Sequence, residues 1–331
     1  MNTAPNASIT DRVAPVNVGA PVTAVHFLKD TAVFVLGEDE LMFVAAAGSE
    51  ARVKAHDGGI MSSASNGTQI ITGGDDGKVV LTGADREPQT IATDAKKRWI
   101  DQVAIAPNGA TAWSVGKSAT AREAKGAEKC VELASSIGGI AFAPKGYRLA
   151  LTQYNGVAMW FPNTAAAPEF LHWKGSHLGV VFSDDGKFLI TTMQDAMLHG
   201  WRLADNKHMR MSGYAGKVRS LSWTADGDLA TSGADQLIIW PFQGKDGPMG
   251  KAPAMMAPHK ARVTTVAAHP KQSVILAGYA DGLVLMLRIK DGAEILVRAG
   301  DDQPIAALGW SSRGDRFAFA TEEGSAGIVM I

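Results

Sequence analysis

Short runs in which apolar and polar positions alternate recur along almost the whole chain. They are Val22 to Phe27, Ile60 to Ala64, Val103 to Ala106, Ile140 to Ala143, Val180 to Phe182, Leu221 to Trp223, Val263 to Ala268 and Ile305 to Trp310. Alternation of this kind has the two-residue period of a half-buried strand, not the 3.6-residue period of a helix. Each run ends in a turn: Leu28-Lys29-Asp30, Asn66-Gly67, Pro107-Asn108-Gly109, Pro144-Lys145-Gly146, Asp185-Gly186, Asp226-Gly227, Pro270-Lys271-Gln272 and Arg313-Gly314. The last residues of these turns are separated by 37, 42, 37, 40, 41, 45 and 42 residues. The segment from His177 to Trp201 shows the unit most plainly, with strands predicted at Gly179 to Phe182, Phe188 to Thr192 and Met197 to Trp201. The first two are joined by Ser183-Asp184-Asp185-Gly186, where glycine supplies the positive φ of a tight hairpin.

A period near 40 residues with four short strands per unit predicts an all-β chain, an eight-bladed β-propeller of four-stranded antiparallel blades. Residues 1–11 are expected to be a disordered tail and residues 12–331 a single propeller domain. The eighth repeat stops at Gly327 to Ile331, its third strand, whereas Val13 to Val18 is an extended piece with no repeat of its own. That N-terminal strand is expected to complete the last blade, leaving no open sheet edge.

Within the repeats, His56, His177 and His259 precede first strands. Asp76, Asp195, Asp235 and Asp281 stand in second turns, with Asn155 in that place in the fourth repeat, and Trp160, Trp201 and Trp240 close third strands. Trp201 is followed by Arg202 and Trp240 by Pro241. In these positions the chain resembles the WD40-repeat β-propeller family, in a degenerate form. The resemblance implies that the histidine, a Ser or Thr of the second strand, the turn Asp and the closing Trp form a buried hydrogen-bonded chain within a blade. In the fifth repeat these are His177, Thr191, Asp195 and Trp201. It also implies that the loops before first strands and between second and third strands share one face. Those loops carry Arg98, Trp99, Tyr154, Trp173, Lys174, Tyr214, Arg262 and Tyr279. Aromatic and Arg residues dominate interface hot spots, so these eight are the expected partner-binding residues.

Composition narrows the function. Hydrophobic residues make up 46% and charged residues 20%, enough for a continuous core between sheets, and the net charge of −1 argues against nucleic acid or an anionic membrane as partner. Cys130 is the single cysteine, which rules out an internal disulfide and suits a reducing compartment. Met1 to Val16 has no apolar run of signal-peptide length, and a cytoplasmic location is expected.

Chemistry-bearing motifs are weak. Gly116-Lys117-Ser118 and Gly250-Lys251-Ala252 lack the upstream glycine of a phosphate-binding loop, having Thr111 and Lys245 in its place. The acid pairs Asp75-Asp76, Asp184-Asp185, Asp301-Asp302 and Glu322-Glu323 fall at turns. His172, His177 and His199 are close in sequence without the spacing of a zinc site. The loop Gln243 to Pro258 is rich in Gly and Pro and contains Met249, Met255 and Met256, with Ala254 to Met256 a candidate fourth strand. The expected function is therefore a non-catalytic scaffold that binds a protein partner, with no cofactor and no metal. The alternative is an enzyme or small-ligand or metal binder working in the central funnel.

Overall fold

The computed structural model describes residues 7–331. Apart from a short 3-10 turn at Thr10–Arg12, the regular structure is β throughout. The chain divides into two compact units, one comprising Met1–Leu36, Met42–Glu50 and Gly213–Ile331, the other Gly37–Leu41 and Ala51–Ser212.

In the second of these units, Ile60–Ser65, Gln69–Gly74, Lys78–Gly83 and Pro88–Thr93 form one antiparallel meander, and Gln102–Ile105, Thr111–Val115, Ser118–Arg122 and Glu128–Glu132 form the next. Burial explains their composition. Gln69–Gly74 is covered on both faces and is almost wholly apolar or small, whereas the outermost Pro88–Thr93 is largely exposed and polar. Gly73 has a packing reason: a Cβ there would lie 2.6 Å from Ile100 Cγ2 and 2.9 Å from Val103 Cγ1. Its absence lets the neighbouring sheet close over Ile71 and Val79.

The expectation of eight blades is corrected: among the described residues the strands form seven sheets. All eight innermost strands marked by the periodicity are present, but the fourth and fifth repeats merge into one six-stranded sheet. The cause is the single strand Glu169–Phe182, 14 residues long. Its first half pairs with Leu149–Trp160, as far as Tyr154 opposite Ser176, and its second half pairs with Phe188–Met193, starting at His177 opposite Met193. Here the connection Trp173-Lys174-Gly175-Ser176 stays extended enough to keep pairing on both sides.

In the first unit, Leu221–Trp223, Leu229–Thr231, Leu237–Trp240 and Ala254–Met256 form one sheet, so Ala254–Met256 is a fourth strand. Val263–Ala268, Val274–Tyr279, Val284–Arg288 and Ala293–Arg298 form another, and Gly278 repeats the role of Gly73, since its Cβ would meet Ile305 Cγ2 at 2.6 Å. The hairpin Val22–Leu28 with Thr31–Leu36 packs Val25, Phe27 and Phe34 against Ala307, Ala318 and Ala320.

The last sheet contains Ile305–Trp310, Arg316–Thr321 and Ser325–Met330, and its fourth strand is Val13–Asn17, antiparallel to Ser325–Met330 with Val16 opposite Ala326. This is the pairing expected of the N-terminal strand. Of the tail expected over residues 1–11, residues 1–6 lie outside the described residues. Ala7–Ser8, by contrast, is a short strand parallel to Ala293–Arg298, at Ile295 and Leu296. The Ile9 N–H extends the contact by donating to the Leu296 carbonyl at 2.8 Å.

Candidate interaction surface

Trp99 and Tyr154, 58% and 60% exposed, are the most exposed aromatic rings among the described residues. Trp99 follows a loop that is held from several sides. The Asp94 carboxylate accepts from the backbone N–H of Lys96 and Arg98, at 3.0 and 2.9 Å, and from the Arg98 guanidinium at 2.7 Å. These contacts, the Arg98 side chain first, hold the Asp94 carboxyl down to about 2. The loop also packs on bare backbone, because a Cβ on Gly77 would lie 2.8 Å from the Lys97 Cα. Ile100, the next residue, is buried, and its N–H donates to the Gly74 carbonyl. The Trp99 ring is thus presented by a segment anchored at both ends.

Arg98 and Trp99 line a cavity of about 640 Å³ together with Asp101, Lys117, Ser118 and Ser136. Its wall is tied by the Asp101 carboxylate accepting from the Gly116 N–H at 2.6 Å and by the Lys117–Glu132 ion pair at 2.7 Å. Beyond Ser136, the Ser135 hydroxyl accepts from the Tyr154 N–H at 3.1 Å, and Gln153 Oε1 accepts from the Ser135 N–H. The same hydrogen-bonded rim therefore carries Trp99 and Tyr154. Asp94, Lys117, Ser135 and Gln153 were not among the residues expected from sequence. Asp94, a turn residue four positions ahead of Arg98, carried the clearest signal.

The remaining expected residues divide. Lys174 is exposed, and Arg262 is exposed on a different cavity, in the other unit. The half-buried Trp173 ring stacks on His199 with centroids 4.0 Å apart. Tyr214 and Tyr279 are corrected: both are buried, at 8% and 0% exposure. The Tyr279 hydroxyl donates to the Ala257 carbonyl at 2.8 Å, and the Tyr214 hydroxyl lies 2.8 Å from Thr231 Oγ1. A position before a first strand, as for Tyr214, or at the end of a second strand, as for Tyr279, does not by itself put an aromatic ring in solvent, since the ring can turn inward and satisfy its hydroxyl on a buried partner.

Inside the second repeat, His56 Nδ1 donates to the Asp76 carboxylate at 3.0 Å, and Nε2, 2.8 Å from the Thr72 hydroxyl, accepts from it in the neutral ring. Asp76 also takes the N–H groups of Asp57 and Lys78, both at 3.0 Å. One blade is thus stitched from the loop before its first strand through its second strand to its second turn. A family model described as "WD domain, G-beta repeat" matches residues 48–81, the segment that contains this network. Residues 48–81 thus match a WD40 repeat, and the four-stranded sheets around them support a WD40-type β-propeller. A solved structure of the computationally designed Ika8 protein is similar in fold, with a TM-score of 0.72 at 16% identity, covering 95% of this chain and 98% of that one. No curated protein matches the sequence.

The other repeats use parts of the same network. In the seventh, His259 Nε2 lies 2.7 Å from the Asp281 carboxylate. In the fifth, His177 Nδ1 lies 2.8 Å from the Thr191 hydroxyl, but Nε2 donates to the Trp173 carbonyl at 3.0 Å, so the expected link to Asp195 is replaced. Burial lowers the His177 pKa, which suits a neutral ring. Beside it the fully buried His199 sits among Trp173, Trp201 and His208, and neither ring nitrogen finds a hydrogen-bond partner. Its pKa is pushed down to about 3, chiefly by loss of solvent. Among the described residues no group of His, Cys, Asp and Glu is placed to hold a metal.

Proposed function

We propose that this WD40 propeller is a non-catalytic scaffold that binds a protein partner through the rim carrying Arg98, Trp99 and Tyr154, with Trp173 and Lys174 on the adjoining connection of the same unit. The observation that carries the reading is the exposure of Trp99, on a loop ordered by Asp94, and of Tyr154, in the strand Leu149–Trp160 where its N–H is held by Ser135. An exposed ring on an ordered loop loses little freedom when it is covered, so its burial contributes almost fully to affinity. WD40 propellers commonly act as interaction platforms, which supports the reading. No helix among the described residues is long and apolar enough to cross a membrane. A cytoplasmic setting belongs to the same proposal, consistent with a single free and exposed Cys130.

The test is affinity purification of the tagged full chain from its own cells beside the variant Trp99→Ala/Tyr154→Ala. The expected result is a stoichiometric partner retained by the native chain and lost by the variant, with unchanged circular dichroism. Equal recovery by both would remove this rim as the binding face.

A further inference from the structure

The unit that contains Gly213–Ile331 has a cavity of about 1050 Å³, lined by the innermost strands Val22–Leu28, Leu221–Trp223, Val263–Ala268 and Ile305–Trp310 and the loops that lead into them. Three cations, Lys217, Arg219 and Arg262, and one acid, Glu322, face it. Lys217 and Arg262 occupy one register position in consecutive repeats, each immediately before a buried valine, Val218 or Val263, that starts the inner wall. The same position holds Pro21 before Val22 and Pro304 before Ile305.

Elsewhere in this unit arginines are neutralised locally. Arg288 bonds Asp291, Arg298 bonds Asp301, and Arg313 lies between Asp30 and Asp315. Among the described residues no ion pair or hydrogen bond engages the charged groups of Lys217, Arg219 or Arg262, although the Arg219 backbone N–H donates to Ser232 Oγ at 3.2 Å. Three like charges gathered at one concavity repel one another, and a concave low-dielectric wall focuses their field. The arrangement is also built. A Cβ on Gly216 would fall 2.2 Å from Arg262 Nη1 and 3.3 Å from Cζ, so the guanidinium lies directly over the Gly216 backbone, one residue from Lys217. Gly216 is itself held by its N–H donating to the Gly233 carbonyl at 3.0 Å.

We propose that this cavity binds a small polyanion carrying two or more phosphoryl groups. A phosphoryl group presents three acceptors and up to two charges at one point, which matches converging guanidinium and ammonium donors better than a single carboxylate does. The volume is in the range of small-molecule sites, and the walls mix apolar Val22, Val25 and Ile305 with the hydroxyl-bearing Thr23, Ser220 and Thr265. This proposal is independent of the protein-binding rim, which lies in the other unit.

The experiment is calorimetric titration of the full chain with inorganic tripolyphosphate at low and at moderate ionic strength. Saturable one-to-one binding is expected, weakened at least about tenfold by Arg219→Ala or Arg262→Ala, since each removes a charge-assisted contact. Glu322→Gln is expected to tighten binding, and Lys290→Ala, an exposed lysine in another turn, to leave it unchanged. Gly216→Ala keeps every charge but displaces the Arg262 guanidinium, and should weaken binding as Arg262→Ala does. If Gly216→Ala binds like the native chain, or Lys290→Ala loses as much as Arg262→Ala, only net charge is being read and the site is refuted. Absence of saturable binding, or preference for hexaglutamate over tripolyphosphate, overturns the proposal equally.

Discussion

Trp240 donates its indole N–H to the phenolic oxygen of Tyr214 across 2.7 Å, inside a blade in which no histidine reaches that place. The chain continues from the Tyr214 hydroxyl to the Thr231 hydroxyl at 2.8 Å and from there to the Ile238 carbonyl at 3.2 Å. Burial raises the Tyr214 pKa to about 12, so the phenol stays protonated and can accept and donate at once. Tyr214 thus takes the histidine's place in the sixth repeat, which explains why a tyrosine in a loop is buried.

Tyr214→Phe should therefore destabilise the protein. It strands the buried Trp240 N–H, a loss of about 1–3 kcal/mol for an unsatisfied buried group. Trp240→Phe removes the same donor from the other end. Urea unfolding of the single and double variants should show that the double costs less than the sum of the singles, the sign of a direct coupling. Strict additivity would mean that the contact contributes nothing.

Thr72→Val keeps the shape of the second repeat but removes the hydroxyl that His56 Nε2 accepts from. The ring remains held by Asp76 with its second nitrogen unsatisfied in a buried site, so a loss of about 1–3 kcal/mol is expected. Asp76→Ala should cost more, because the His56 ring and the N–H groups of Asp57 and Lys78 all lose their acceptor. The order Asp76→Ala, then Thr72→Val, then native is read from denaturation midpoints.

Stability should fall as pH is lowered from about 6.5 toward 4, the ordinary His value being near the top of that window. His199 and His26 have pKa values pushed down to about 3 and about 4, and those of His177 and His269 are also lowered, in each case chiefly by burial. The unfolded chain binds these protons in that window and the folded chain does not, so acid favours unfolding. His199→Phe keeps a flat ring on Trp173 and removes two nitrogens without partners. Its thermal midpoint should vary less with pH than that of the native chain, and an unchanged slope would exclude His199 as a major contributor.

Deleting residues 1–17 removes the strand that covers the outer edge of Ser325–Met330. The exposed backbone N–H and C=O groups form a pairing template, so this variant should unfold at lower temperature and self-associate in light scattering. Deleting only residues 1–12 removes the two pairings of Ala7 and Ser8 and leaves Val13–Asn17 in place. Its effect should be much smaller.

The sequence by itself determined the repeat: strand alternation and turn residues depend on neighbours a few positions apart, so the period, the turns and the match of Val13–Asn17 to the incomplete last repeat were all legible. His56, Thr72 and Asp76 could be placed in one blade for the same reason. Only the tertiary structure decided where one sheet stops. A strand was expected only from Gly179 to Phe182, yet Glu169–Phe182 runs on through Lys174-Gly175-Ser176, and its pairing to both neighbours makes one six-stranded sheet where two were expected. It also decided which loop aromatics reach solvent. Trp99 stands on a loop tied down beneath it and Tyr154 in a strand held by Ser135, whereas the Tyr214 and Tyr279 hydroxyls find buried partners in Thr231 and Ala257. Those partners are 17 and 22 residues away, at a separation where only folding brings them together.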